Sequence, residues 1–167
     1  VYIRAGEVAG DVRHLARIRG LLNLILAMQA EDGTFYNFIN RDLTVNRTGP
    51  TSRNAFDFWA ARGYWALGTG YAYFRDKDAP FAAVLQSAYR RCLPQLDSLM
   101  QQYGKYENCG GKSYPAWLLN RHAADATSEF LLGAVEYLAI EPDPALRQYA
   151  TKLAEGLVAM QELDDAG

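Results

Sequence analysis

The chain has 167 residues, enough for one domain, with 17 Lys and Arg against 19 Asp and Glu and a formal charge of −2. Half of it is hydrophobic and 13% aromatic, which excludes disorder as the main state, and the balanced charge argues against an electrostatically driven binder of nucleic acid or acidic membrane. No apolar run approaches the ~20 residues of a membrane-spanning helix, and Cys92 and Cys109 allow one bridge at most, so this is no disulfide scaffold.

The periodic segments read as helices. The first, about Val12 to Ala30, places Leu15, Ile18, Leu22, Ile25, Leu26 and Gln29 at steps of three and four, with Arg13, Arg17 and Arg19 off that stripe. Phe35–Ile39 and Leu43–Val45 alternate weakly and suggest a small hairpin turning at Asn40-Arg41-Asp42. The second helix, about Ala55 to Phe74, carries charge only at Asp57 and Arg62, and a helix apolar all round is expected to be buried on all sides. The third runs from about Pro80 to Gln102, with Pro94 expected to kink or split it. The fourth, about Ala124 to Ile140, is again poor in charge. The fifth, about Pro144 to Leu163, is amphipathic, and Pro144 suits a helix start.

The connections alternate between long and short. Compact helix pairs usually join through ~2–8 residues, yet the first-to-second and third-to-fourth links are far longer. Long and short ends must then fall on opposite faces, so residues 31–54 and 103–122 are expected together, opposite 75–79 and 141–143. There is also an internal repeat. LAMQAEDGTF (Leu26 to Phe35) returns as LVAMQELDDAG at the C-terminus, and WALGTGYAYF-RDKDAPFAAVLQSAYRRCL is echoed by EYLAI-EPDPALRQYATKLAEGL. The unit is a helical hairpin of roughly 65 residues. A tetratricopeptide-type array, with a period of ~34 residues and short turns throughout, does not fit these connections.

Alternating amphipathic and apolar helices, long loops on one face, and the phrase MQAEDGTFYNFI…TGPTS…DFWAARGYWALGTGY together resemble the six-hairpin (α/α)6 toroid superfamily, over nearly the whole chain. The resemblance implies an all-α fold: antiparallel helical hairpins in an incomplete (α/α) toroid arc, with inner and outer helices alternating. A ring of six such hairpins takes ~390 residues, so residues 1–167 are expected to be a single all-α domain that is a segment of a larger toroid. Members include glycoside hydrolases, sugar epimerases and helical domains of carbohydrate-processing operons. The implied function is a segment of a glycoside hydrolase-like protein that binds or hydrolyses saccharides at the long-loop face. The alternative is a non-catalytic helical scaffold or interaction domain.

Three carboxylates are candidate catalytic groups: Asp57, near the start of the second helix, and Asp125 with Glu129, at the matching place on the fourth. Glycoside hydrolysis uses paired carboxylates, and those at helix N-termini suit a base or hydroxyl acceptor better than a general acid. Each also has a structural reading. Asn54 and Asp57 stand at N-cap and N3 spacing, Arg53 could pair with Asp57, Asp125 could be an N-cap, and Glu129 could complement the helix dipole. Arg62, on an apolar helix, requires a carboxylate from the protein or from a ligand. Tyr36, Trp59, Tyr114 and Trp117 offer faces for stacking on sugar rings, and with Arg62 they complete the expected substrate contacts.

Gly110-Gly111-Lys112-Ser113 lacks the earlier glycine of a phosphate loop, since Tyr106 stands there. His14 and His122 have no ligand-spaced partners beyond Asp125, so neither a metal nor a cofactor is expected. The partners expected are a saccharide, and either the remainder of a parent chain or a second copy meeting exposed apolar flanks, with no nucleic acid and no membrane. The chain opens at Val1 without an apolar leader, so a targeting segment is read as absent or removed, and the compartment stays open with the cytoplasm slightly favoured.

Overall fold

A computed structural model describes Ile3 and residues 12–165, with residues 12, 13 and 162–165 described by backbone alone. The chain is mostly helical: α1 (Val12–Met28), α2 (Phe58–Phe74), α3 (Ala79–Arg90), α4 (Cys92–Met100), α5 (Ala124–Leu138) and α6 (Pro144–Asp165). A small hairpin, β1 (Tyr106–Cys109) and β2 (Lys112–Pro115), interrupts the link from α4 to α5. That hairpin departs from the plain loop expected there. Gly110 and Gly111 make its two-residue turn with φ of 58° and 84°, the pair of positive values that a type I′ turn needs.

Helix boundaries differ from those expected where local chemistry competes. The second helix starts at Phe58 rather than Ala55, because Ala55 exchanges backbone hydrogen bonds with Phe35 (3.0 and 3.2 Å). The third breaks at Arg91, which caps α3 and opens α4. Pro94 explains the break: it has no N–H to give the Arg90 carbonyl four residues back, and its ring crowds that turn. Of the hairpin expected near Asn40, one bridge forms, Ile39 to Val45, around a turn with Leu43 at φ 67°.

Contacts along the helices fix their directions. Arg62 meets Glu129, Tyr64 meets Phe130 and Tyr71 meets Tyr137, so α2 and α5 run parallel, side by side. They approach backbone to backbone: a methyl on Gly68 would stand 2.4 Å from the Gly133 carbonyl oxygen, and one on Gly133 would stand 2.5 Å from Trp65 Cα. The helices α1, α3–α4 and α6 flank this pair and run the opposite way. Gln29 reaches Tyr64 and Ala88, Arg90 reaches Asp143, and Tyr149 donates to Asp97. The N-termini of both central helices therefore open at one end, beneath the connections 29–57 and 101–123.

The repeat is visible in one recurring device. Asp78 accepts the Phe81 amide at 3.1 Å while pairing with Arg19 of the preceding flanking helix. In the same way Asp143 accepts the Leu146 amide at 3.1 Å and pairs with Arg90 at 3.2 Å. Each aspartate caps one helix and ties it to the flanking helix before.

The core between the layers is aromatic. Tyr64 is fully buried and touches Phe35, Phe56, Tyr89 and Phe130 edge to face, while Tyr89 and Tyr137 stack at 4.4 Å. Burial of this kind is worth about 2–3 kcal/mol per large side chain. The Tyr64 hydroxyl donates to the Gly33 carbonyl at 2.7 Å and accepts from Gln29 Nε2 at 3.2 Å, pinning the first long connection to the core. Burial pushes the phenols of Tyr64 and Tyr89 far above their ordinary range, so both stay protonated. Contrary to the all-round burial expected from its composition, α2 leaves one stripe uncovered. Trp59 and Trp65 are 44% and 40% exposed, and Arg62 lies between them.

Candidate functional site

Asp57 ends the first long connection in an extended conformation (φ −123°, ψ −154°), and its Oδ1 accepts the Trp59 amide at 2.9 Å. It is the N-cap of α2, a position expected for Asn54. Asn54 instead donates to Thr34 Oγ1 at 2.7 Å, tying the connection to itself. Asp57 keeps its second oxygen, Oδ2, beyond the cap.

That end of α2 borders a cavity of about 330 Å³. Asp57 and Phe56 form one side, Glu107 of β1 and Leu99 of α4 another, and residues 118–122 a third. The third side is unusual backbone. Asn120, Arg121 and His122 have φ of 47°, 55° and 58°, three successive left-handed residues without a glycine. Each such residue costs roughly 1–2 kcal/mol, although Asn and His tolerate it better than most. The turn is held at both ends: Leu119 is buried with its amide on Thr127 Oγ1 at 3.0 Å, and His122 stacks on Tyr114 at 4.7 Å.

The other sequence candidates divide. Glu129 does not line this cavity. Both its oxygens take the Arg62 Nε–H, at 3.2 and 3.0 Å, and the guanidinium lies 4.0 Å over the Phe58 ring. Arg62 thus has the carboxylate that it required, supplied by the protein. It is half exposed rather than buried in the helix interior, so the pair is worth about 0–1 kcal/mol. Asp125 is exposed in the first turn of α5 and accepts the Ala126 amide at 2.8 Å. The N-cap there is Ala123, so the expected capping role of Asp125 is corrected.

Among the aromatic candidates, Trp117 is a packing residue and not a ring reaching over the loop face. It is 4% exposed, donates Nε1–H to the Lys152 carbonyl at 2.8 Å, and meets Tyr103 and Tyr106 edge-on. Tyr114 turns its face to His122. Tyr36 lies under the Arg47 guanidinium at 5.2 Å. Trp59 is open to solvent beside Phe58.

Sequence reasoning therefore missed Glu107, Asn120, Arg121 and His122 as neighbours of Asp57. The available signal was Gly110-Gly111 between two four-residue polar runs, a two-residue hairpin that folds Glu107 back toward the helix ends. A second opening, about 600 Å³, lies along the uncovered stripe of α2 and is lined by Leu21, Leu24, Trp65 and Leu132. It is larger and mostly apolar, with Arg62, Thr69 and Glu136 as its polar lining residues, whereas Asp57, Glu107, Asn120, Arg121 and His122 gather on the smaller cavity. Among the described residues no three His, Cys, Asp or Glu side chains gather in a metal-binding group. Comparison of the chain with protein-family models and with curated proteins finds no match.

Proposed function

We propose that this chain is a segment of a carbohydrate-active, glycoside hydrolase-like protein built as an (α/α) toroid, and that it binds or hydrolyses saccharides at the long-loop face. The observation that carries the reading is the convergence of Asp57, Glu107, Asn120, Arg121 and His122 on one cavity at the N-terminus of a central helix. Acceptors, donors and amides in one concave site match the paired donor and acceptor character of sugar hydroxyls. Two parallel central helices, flanked by helices of opposite direction and carrying both long connections at one end, support the toroid part of the proposal.

Asp57 is the acceptor to test. Titration calorimetry against a panel of neutral mono- and oligosaccharides is expected to give saturable binding. Asp57→Asn keeps the cap through its amide oxygen but removes the charge, and should weaken that binding roughly tenfold or more, as expected for a hydrogen bond to a charged group. Binding unchanged in Asp57→Asn, or no member of the panel bound, would overturn the proposal.

A second reading, a scaffold that keeps the fold without the chemistry, is favoured by one observation: Glu129 is held by Arg62 and Asp57 caps its own helix. A folded protein that binds no saccharide of the panel and turns over no aryl glycoside would select it.

A further inference from the structure

His122 is one of two histidines in the chain, and neither the catalytic nor the stacking candidates included it. Its ring is fixed by the stack on Tyr114, with 18° between the planes, and by a left-handed backbone at φ 58°. Its Nδ1 is sealed from solvent and has no hydrogen-bond partner. Buried N–H groups left without an acceptor are rarer in folded proteins than under-satisfied acceptors. In the neutral ring a bare Nδ1 places the proton on Nε2, the ring's other polar atom. The cavity that this ring borders also holds Asp57 and Glu107, with Arg121 as its one cationic lining residue. An acidic sugar would meet two carboxylates against one guanidinium, whereas a neutral ring brings no charge into that field.

We infer that His122 is a ligand contact, its Nε2–H donating to an oxygen of a neutral saccharide ring seated between the left-handed turn and Asp57. The inference rests on the saccharide reading above and adds to it a named donor and a substrate class.

Long-range proton–nitrogen correlation spectra of the two imidazoles test it on the unaltered chain. The probes are the methyl glycosides of glucose, galactose and mannose, with glucuronic acid as the charged comparison. His14, on α1, is the internal control. The expected result is the Nε2–H tautomer for His122 in the free protein and a saturable shift of its Nε2 with a neutral glycoside. His14 should stay unmoved, and glucuronic acid should bind at least tenfold more weakly. Backbone amides around residues 57 and 118–122 that shift while His122 does not would overturn the His122 contact and leave the saccharide reading standing. No shift anywhere with any probe would remove the reading itself. Tighter binding of glucuronic acid would overturn the neutral class.

A variant pair gives a second readout. His122→Asn keeps a residue that tolerates left-handed backbone, and His122→Phe keeps the stack on Tyr114. Each should weaken the neutral glycoside roughly threefold to tenfold, the effect of one hydrogen bond. Undiminished affinity in either variant, with folding verified by its melting curve, would contradict the contact.

Discussion

The contact of α2 with α5 makes a sharp demand on Gly133. An alanine methyl there would stand 2.5 Å from Trp65 Cα, 2.7 Å from the Tyr64 carbonyl oxygen and 2.9 Å from Trp65 nitrogen, all backbone atoms. Ordinary carbon contacts lie near 3.5–4.0 Å, so the helices would have to separate by about an ångström. No side chain can swing aside to absorb it. Overpacking of this kind costs about 1–3 kcal/mol and occasionally more, and a clash against backbone belongs at the upper end. Against it stands the helix propensity of alanine over glycine, about 1 kcal/mol. Gly133→Ala should therefore destabilise by about 2 kcal/mol net.

Gly20 is the matched control, because it lies on α1 and an alanine methyl there would meet nothing within 4 Å. Gly20→Ala should raise stability by up to about 1 kcal/mol through propensity alone. Urea unfolding of the two variants and the parent reads the difference as opposite shifts in midpoint at constant slope. Thermal melts should separate the variants by roughly 6–12 °C, given about 2–4 °C per kcal/mol in a chain of this size. If Gly133→Ala stabilised as Gly20→Ala does, the two central helices would not be in backbone contact, and the two-layer arrangement would fail with them.

Three further outcomes follow from the same structure. Burial, helped by the hydrogen bond to Glu141, pushes Tyr71 up to about 12 from 10.0, and the hydrogen bond to the Asp97 carboxylate pushes Tyr149 to about 12. Raised phenols keep their protons in the folded chain after the unfolded chain has lost them. Their contribution is full below pH 10 and disappears between pH 10 and about 12; urea midpoints across that range should fall, less steeply in Tyr71→Phe. Cys109 is exposed and Cys92 is buried with its thiol pushed far up, so a thiol reagent should modify Cys109 in the native chain and Cys92 only after denaturation. Glu129→Gln should lower stability by no more than about 1 kcal/mol, since its partner Arg62 is half exposed; a loss of several kcal/mol in the same urea assay would mean that the pair is shielded from water.

What was legible in the sequence was the periodicity. Apolar steps of three and four located the long helices, because burying an apolar stripe is the dominant local demand. The alternation of short and long links identified which ends carry the loops. Side-chain roles were harder to read, because they depend on atoms brought from elsewhere in the chain. Asn54 has the spacing of a cap but is taken by Thr34, twenty residues back, which leaves the cap to Asp57. Trp117 looks like an open loop aromatic until α6 supplies the Lys152 carbonyl for its Nε1–H. The polar side of the cavity depends on the hairpin and on three left-handed residues at Asn120, Arg121 and His122. No sequence rule favours Arg121 in that conformation, and tertiary contacts at Leu119 and Tyr114 hold it there.

The central claim is that the cavity beside Asp57 receives a saccharide. A crystal structure of the chain with the neutral glycoside that binds it most tightly is the direct measurement. The account predicts one sugar ring between the Asp57 carboxylate and the turn at residues 120–122, within hydrogen-bonding distance of both. A sugar found instead along the apolar groove beside Trp65, or an empty cavity at a concentration that saturates binding in solution, would contradict it.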